Sequence, residues 1–243
     1  MPSGLQPSGQ DGESYVGRLE DGTRVAVKRV AIGSPEDSER MLEYLRRLAE
    51  YANPFLVPVR GAQYWEGALW VISELDDGLP LGGLMARFSL TTSHVVAMGF
   101  GILSGLAALQ QVGLSHGDLH AGNVHVSRDG RVRLSDYALH PRFRPGSGRV
   151  GWPDPRADLV AAGKLLCAAL GIPAERGQEE LSPAERSAPA LVAALRVMAE
   201  GRAGRYAGSA LGLFEEASGT RARSGAWQQA AKACRMARNP RSL

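Results

Sequence analysis

The sequence predicts an α+β fold with two lobes, a small β-rich N-lobe followed by a larger helical C-lobe. Short β-type runs and turn signals dominate the chain before Pro80, whereas long helical patterns dominate after it. A single small hairpin interrupts the helical part. We therefore expect one domain over residues 1–243, with a cleft between an N-lobe at 9–79 and a C-lobe at 80–217, and a basic tail or helix at 218–243.

The expected N-lobe is mostly sheet with one helix. Residues 1–12 are rich in Gly, Ser, Pro and Gln, which predicts a flexible N-terminal segment. Two β-type runs at 14–19 and 23–30 are joined by Asp21-Gly22, a strong hairpin signal. A helix is predicted from Ser34-Pro35, an N-cap followed by proline, with Met41, Leu45 and Leu48 on one face. Two further strand-like runs follow at 56–61 and 68–75.

The expected C-lobe is built from long helices. Helical patterns cover four ranges, 91–112, 156–170, 189–200 and 207–217. Ser182 and Glu185 form a capping-box pattern, and Thr91 or Thr92 is the expected cap of the first long helix. The hairpin NVHVS and VRLS is turned by Asp129-Gly130.

Composition excludes several classes of protein. The chain is 44% hydrophobic and 22% charged, as is ordinary for a globular protein. Its two cysteines, Cys167 and Cys234, lie far apart, which excludes a disulfide framework and a four-cysteine zinc site. The first residues show no signal-peptide pattern. A reducing compartment, the cytoplasm, is the simplest interpretation.

Two segments raise the question of a membrane. No residue from Phe88 to Ser115 is formally charged, and this stretch is close to the length of a spanning helix. The polar motif that follows it immediately favours a buried core helix instead. Residues 218–243 carry six basic residues and no acid, which leaves −3 for the rest of the chain. This tail is either a final helix packed on the C-lobe or a site for an anionic membrane surface or a partner; no nucleic acid is expected.

The residues that predict chemistry surround residues 116–123, His-Gly-Asp-Leu-His-Ala-Gly-Asn. Asp118 is a candidate proton acceptor for an attacking hydroxyl. Asn123 and Asp136 offer oxygen ligands for magnesium beside a polyphosphate. Lys28 lies in the apolar run VAVKRV, where it is either a surface lysine or a cation directed into a cleft.

Together these motifs resemble the protein kinase superfamily, in the manner of eukaryotic-like Ser/Thr kinase domains. VAVK, HGDLHAGN and SDY are similar in order and spacing to the kinase third strand, catalytic loop and metal-binding motif, and the likeness covers about residues 9–217. The resemblance implies ATP and Mg²⁺ as cofactors and assigns a role to each matching residue. Lys28 would bind the α- and β-phosphates, Asp118 would be the catalytic base, and Asn123 and Asp136 would bind the metal. Glu74 and Asp76 would face the adenine, and Gly9 and Gly12 would belong to the glycine-rich loop.

The sequence departs from the kinase pattern at five places. Pro7 stands at the first position of the glycine-rich loop, and Tyr44 stands where the glutamate partner of Lys28 belongs. Ala138 replaces the glycine after the metal-binding acid, and Gly117 replaces the arginine that binds a phosphorylated activation loop. Only about twenty residues separate Asp136 from the next long helix.

The matching motifs and the departures together leave two functions open. The chain is either a working kinase that transfers the γ-phosphate of ATP to a Ser or Thr hydroxyl of a protein, or a pseudokinase that binds nucleotide and regulates a protein partner. Gly117 and His120 are also similar to small-molecule kinases such as aminoglycoside phosphotransferases, although the first lobe fits protein kinases better.

Three weaker patterns complete the reading. Residues 113–117 match the G-x-S-x-G elbow of hydrolases, but a helix precedes the serine where that motif needs a strand. Gly99, Gly101 and Gly105 lie inside a helix pattern, which favours close helix packing over a dinucleotide site. From the resemblance, Asp154 and Arg205 are predicted to form an ion pair within about 4 Å.

Overall fold

A computed structural model describes residues 3–7, 13–31, 35–50, 52–137, 139, 154–174 and 182–219. The chain divides into two compact units. The first comprises Met1–Asp77 and Leu139–Trp152, and the second comprises Gly78–Ala138 and Pro153–Leu243. The first unit is mostly sheet and the second mostly helix, so the predicted α+β class is confirmed.

The first unit contains a five-stranded antiparallel sheet and one helix. The sheet order is β1-β2-β3-β5-β4, and α1 connects β3 to β4. The elements are β1 (Ser3–Pro7), β2 (Ser14–Arg18), β3 (Arg24–Ala31), α1 (Pro35–Glu50), β4 (Val59–Trp65) and β5 (Ala68–Glu74).

The predicted hairpin at Asp21-Gly22 joins β2 to β3. Gly22 has a φ of +83°, a backbone conformation that favours glycine. The Asp21 carboxylate accepts a hydrogen bond from the Thr23 amide at 2.8 Å, which closes the turn. The same bond is the main reason that the pKa of Asp21 lies below its ordinary value.

Two N-lobe expectations need correction. Residues 3–7 are not a flexible segment, because they form β1 and pair with β2. Pairing at a sheet edge uses backbone groups, so it needs no apolar alternation in the sequence. The run at 56–61 becomes a strand only from Val59, after Pro58, which has no amide hydrogen to donate. The Pro58 carbonyl instead accepts from the Glu74 amide at 2.9 Å.

The two faces of the first unit's sheet bury different side chains. On one face a cluster forms around Val25, Val27 and Trp70, with Tyr15 packed against Trp70 at a ring distance of 5.6 Å. Side chains alternate along a strand, so Lys28 lies on the face opposite Val25 and Val27. From α1, Leu45 and Leu48 are buried, as the helical pattern predicted.

The second unit contains a three-stranded sheet, β6-β7-β8, and six helices among its described residues. The elements are β6 (Leu79–Pro80), α2 (Leu81–Met85), α3 (Thr92–Gln111), β7 (Val124–Val126), β8 (Val132–Leu134), α4 (Pro155–Ala169), α5 (Pro183–Ser187), α6 (Pro189–Ala199) and α7 (Ala207–Ser218). The four long helices are confirmed within a residue or two, whereas β6 and α2 were not predicted.

Two of the three predicted N-caps are present, and the third, Ser34, lies outside the described residues. Thr91 is the N-cap of α3 and exchanges two hydrogen bonds with His94. At α5, the Ser182 amide donates to Glu185 at 2.7 Å and the Glu185 amide donates to the Ser182 hydroxyl at 3.3 Å. Capping boxes of this kind satisfy amides that have no partner inside the helix.

Helix α3 is the core helix of the second unit. It is long and apolar enough to cross a membrane, but 67% of its most apolar window is buried within the protein. A side chain at Gly99 would collide with the ring of Phe214 on α7, and one at Gly101 would lie 2.6 Å from Val132 on β8. The glycines therefore permit close packing, which confirms the prediction that they serve helix packing and not a dinucleotide site.

The predicted ion pair between Asp154 and Arg205 is present. The Arg205 guanidinium lies 3.8 Å from the Asp154 carboxylate, and both side chains are more than half exposed. Exposed pairs contribute about 0–1 kcal/mol, so this contact adds little to stability. Asp154 has a second role as the N-cap of α4, where it accepts from the Arg156 amide at 3.1 Å.

Candidate active site

The loop that carries the candidate base begins at the end of α3. The Gly113 amide donates to the Gln110 carbonyl at 3.0 Å, and the Leu114 amide donates to the Leu109 carbonyl at 2.9 Å. This is a Schellman termination, and Gly113 supplies the left-handed residue with a φ of +80°. The helix thus ends at Gln111, five positions before His116, and the chain turns into the loop of residues 114–123.

Asp158, in the first turn of α4, holds the backbone of this loop. Its carboxylate accepts from the His116 amide at 2.6 Å and from the Gly117 amide at 2.8 Å. The side chain is only 3% exposed, and burial raises the pKa of Asp158 to about 6 against the two hydrogen bonds that lower it. Gly117 has a φ of +79°, so this backbone turn favours the glycine that replaces the usual arginine.

His116 forms the buried floor of the loop. Its Nδ1 accepts from the Asp118 amide at 3.4 Å, and its ring meets that of Tyr137 edge-on at 6.4 Å. Burial lowers the pKa of His116 to about 4, although the carboxylates of Asp118 and Asp136 favour the charged ring. The imidazole is therefore neutral at physiological pH and fixes the backbone of Asp118.

Asn123 joins the two ends of the candidate site. The side-chain Nδ2 donates to the backbone carbonyl of Asp118 at 3.0 Å, and the backbone carbonyl of Asn123 accepts from the Ser135 amide at 3.0 Å. Since the amide nitrogen is used inside the loop, Oδ1 is the atom that remains for a ligand. These bonds connect Asp118 to Asn123, and Asn123 to the residue directly before Asp136.

Asp136 has an uncommon backbone conformation. Its φ of +54° is in the left-handed region, which aspartate tolerates better than most residues. The next side chain, Tyr137, is buried, and the chain leaves β8 just before this position. The turn between β8 and Tyr137 therefore determines where the Asp136 carboxylate lies.

The donor set of this region suits magnesium. Asn123 and Asp136 supply an amide oxygen and a carboxylate, and Mg²⁺ prefers such hard oxygen ligands in small numbers together with phosphate oxygens and water. No cluster of three or more His, Cys, Asp or Glu side chains able to hold a metal occurs among the described residues. The residues present therefore fit a metal brought with a polyphosphate.

The remaining predicted site residues belong to the first unit. Lys28 is half-buried in β3, opposite Val71 of β5. Glu74 ends β5, and its carboxylate pairs with Arg60 of β4 at 3.1 Å. Asp76 follows in the segment after β5. Gly9 and Gly12 lie outside the described residues.

Helix α1 contains the position at which the sequence lacks the expected glutamate. Glu43 lies on the exposed side of α1, whereas Leu45 and Leu48 are buried. The side chain of Tyr44 is outside the described part of the chain.

Sequence reasoning assigned no function to Asp158 or His120. Asp158 is 42 positions from His116, and an acid in the first turn of a helix is usually explained by the helix dipole. The sequence does carry one signal that Asp158 is buried, because the residues around it in α4 are apolar. The hydrolase alternative fails on its structural context, since α3 precedes the buried Ser115 and a loop follows it.

A family model matches the part of the sequence that contains Asp118, Asn123 and Asp136. The model is described as protein tyrosine and serine/threonine kinase, and it matches residues 7–147, more than half of the chain. The chain belongs to the protein kinase family. The matched range includes the loop of residues 114–123 described above.

The chain is similar to several curated Ser/Thr kinases. It is 30% identical over 122 residues to serine/threonine-protein kinase 10 of Xenopus tropicalis and to that of Homo sapiens. It is 26% identical over 133 residues to serine/threonine-protein kinase Tao of Drosophila melanogaster. The matches cover 49% and 53% of this chain but only 13% of each relative. The similarity is therefore to one part of much longer proteins.

A solved structure agrees on the fold. The kinase domain of Mycobacterium tuberculosis PknI, studied as a double mutant, superposes with a TM-score of 0.59 at 19% identity. The match covers 96% of this chain and 93% of the PknI chain. Agreement over nearly the whole of both chains confirms the kinase fold.

Proposed function

We propose that this kinase transfers the γ-phosphate of ATP, bound with Mg²⁺, to a Ser or Thr hydroxyl of a protein. The observation that carries the proposal is the fixed geometry of the catalytic loop. Asp158 holds two backbone amides before Asp118, and Asn123 holds the Asp118 carbonyl. Phosphoryl transfer depends mainly on positioning and on charge, which such a loop provides.

The proposal gives each retained residue a distinct role. Asp118 accepts the proton of the incoming hydroxyl, and Asn123 Oδ1 with Asp136 holds the metal. Lys28 binds the α- and β-phosphates, while Glu74 and Asp76 face the adenine. Because the Glu74 side chain pairs with Arg60, we assign the adenine contact at this position to the Glu74 backbone.

A second candidate function is a pseudokinase that acts on a regulatory partner by binding. It is favoured by α1, where Tyr44 holds the position of the glutamate that pairs with Lys28 and Glu43 is turned to solvent. The pseudokinase is also favoured by three other departures in the sequence, namely Ala138, Pro7 and the short segment after Asp136. We therefore expect slow turnover from this chain.

Transfer of ³²P from γ-labelled ATP to a generic protein substrate separates the two functions. Asp118→Asn is expected to reduce transfer by roughly 10²–10⁴-fold, the usual contribution of a general base, while nucleotide affinity stays the same. Tyr44→Glu is the matching gain-of-function variant and is expected to raise turnover above that of the parent.

The outcomes are distinct. Rapid transfer that is unaffected by Asp118→Asn would refute the assignment of Asp118 as base. Absence of transfer in both the parent and Tyr44→Glu, with nucleotide binding retained, would favour the pseudokinase. Preferential transfer to an aminoglycoside or another small hydroxyl compound would identify a small-molecule kinase.

A further inference from the structure

We propose that His120 is a positioning residue that orients the carboxylate of Asp118 through its Nε2–H group. The inference deepens the proposed function, because it rests on Asp118 as the proton acceptor. It concerns a side chain two residues beyond that acid, on the same loop and more than half exposed.

The tautomer of His120 is determined by the backbone. The Gly122 amide donates a hydrogen bond to His120 Nδ1 at 3.0 Å. A nitrogen that accepts a hydrogen bond carries no proton, so the neutral ring has its proton on Nε2. This arrangement is a side-chain turn over two residues, similar to those that Asn and Asp form.

The orientation of the ring is restricted as well. A Cβ atom at position 122 would lie 2.8 Å from His120 Cε1 and 3.0 Å from Nδ1. Glycine at this position therefore leaves the space that the imidazole occupies. In addition, the His120 carbonyl accepts from the Asn123 amide at 3.0 Å, so the backbone of His120 belongs to the same hydrogen-bonded turn as Asn123.

The protonated nitrogen faces the carboxylate of Asp118. His120 Nε2 lies 3.7 Å from Asp118 Oδ2, slightly longer than a hydrogen bond. Catalytic hydrogen bonds are often long before the substrate binds and shorten in the complex. A donor at this place restricts rotation of the carboxylate about its Cβ–Cγ bond, which directs one oxygen toward the incoming hydroxyl.

Two substitutions separate this role from a structural one. His120→Asn keeps an acceptor at the δ position for the Gly122 amide but has no donor at the ε position. His120→Gln has the reverse property, since its amide nitrogen extends to about the position of Nε2. We expect His120→Asn to lower kcat roughly tenfold with the KM for ATP within about twofold, and His120→Gln to recover most of kcat.

The reverse pattern would overturn the proposal. If His120→Asn keeps the parent kcat, or if His120→Gln is the more damaging variant, the ring acts on the turn at Gly122 and not on Asp118. Melting temperatures of both variants show which of them disturbs the turn.

A second measurement needs no catalytic activity. In ¹⁵N spectra of the imidazole rings at alkaline pH, His120 is expected to show a protonated Nε2 and a bare Nδ1. Asp118→Asn is expected to shift the Nε2 resonance and leave Nδ1 nearly unchanged. A protonated Nδ1, or an Nε2 resonance that does not respond to Asp118→Asn, contradicts the proposal. If the parent transfers no phosphate, the proposed function fails on its own and the spectra still decide the contact.

Discussion

At the scale of single residues, two buried ionisable groups at the loop of residues 114–123 have opposite pKa shifts. The pKa of His116 is lowered to about 4, and that of Asp158 is raised to about 6, in both cases mainly by burial. Neither side chain contributes to the pKa shift of the other. The electrostatic contributions to the pKa of His116 come from Asp118, Asp136 and His120, and the one to the pKa of Asp158 comes from Asp154.

These shifts predict opposite dependences of stability on pH. Between about pH 4 and 6.5 an unfolded histidine binds a proton that the folded His116 does not, so this group makes stability rise with pH. Between about pH 4 and 6 the folded Asp158 keeps a proton that the unfolded chain has lost, so this group makes stability fall as pH rises. In the parent the two effects largely cancel.

Removing one group should expose the effect of the other. We expect the stability of Asp158→Asn to rise more steeply with pH than that of the parent, and the stability of His116→Phe to fall, each by up to about 1.4 kcal/mol per pH unit. Urea unfolding at several pH values from 4.5 to 6 measures the slopes, which do not depend on the absolute loss in each variant. Parallel slopes in all three proteins would contradict the assigned pKa shifts.

How far the site follows from the sequence differs among these residues. Lys28, Asp118, Asn123 and Asp136 belong to local motifs whose order alone predicts their chemistry. In contrast, the role of Asp158 depends on hydrogen bonds to His116 and Gly117, which lie 42 and 41 positions earlier in the chain. No local sequence pattern encodes such contacts. The tautomer of His120 depends on one backbone amide, that of Gly122, and no sequence pattern indicates that contact.

At the scale of elements, one glutamine connects the end of α3 to the start of α7. Gln110 Oε1 accepts from the Ala207 amide at 2.7 Å, and its Nε2 donates to the Arg205 carbonyl at 3.3 Å. Helix α7 has no side-chain cap from its own N-cap residue, Tyr206. Gln110 therefore supplies from α3 the acceptor that a helix N-terminus requires.

The Gln110 contact predicts a measurable loss of stability. Gln110→Ala leaves the amide of the buried Ala207 without this partner, at a cost of about 1–3 kcal/mol, or about 2–4 °C in melting temperature per kcal/mol. Gln110→Glu is the matched variant, because it keeps the acceptor and adds a negative charge near the N-terminus of α7. We expect Gln110→Glu to lose less than half as much in thermal unfolding. Equal losses in both variants would show that the Ala207 bond contributes little.

Element length explains which parts of the fold were predicted. Helices such as α3 and α4 contain several turns, so their apolar period, caps and prolines all indicate the same structure. In contrast, β6 has two residues and α2 has five, too few for any period. The strand β1 has five residues with only one apolar side chain, Leu5, packed on the cluster around Trp70. Its formation depends on backbone pairing with β2, which the sequence does not display.

At the scale of the whole molecule, the residues proposed to bind ATP and Mg²⁺ are divided between the two compact units. Lys28, Glu74 and Asp76 belong to the first unit, and Asn123 and Asp136 belong to the second. The proposal therefore implies that ATP with Mg²⁺ stabilises the chain as a whole. A ligand that binds only the folded state raises stability by about 2.7 kcal/mol at a hundredfold excess over its Kd.

Thermal unfolding with ATP, with Mg²⁺ and with both together measures this stabilisation. We expect the largest stabilisation with both, because Asn123 and Asp136 would hold a magnesium ion that accompanies the phosphates. Asp136→Asn removes a charged ligand and should abolish the additional effect of Mg²⁺ while a weaker effect of ATP remains. Glu216→Gln, which removes one acidic charge from an exposed position on α7, is the matched control and should behave as the parent does. Unchanged melting in every combination of nucleotide and metal would refute ATP binding, and with it both the transferase and the nucleotide-binding pseudokinase. Stabilisation by ATP that Asp136→Asn leaves equally dependent on Mg²⁺ would instead place the metal on other residues.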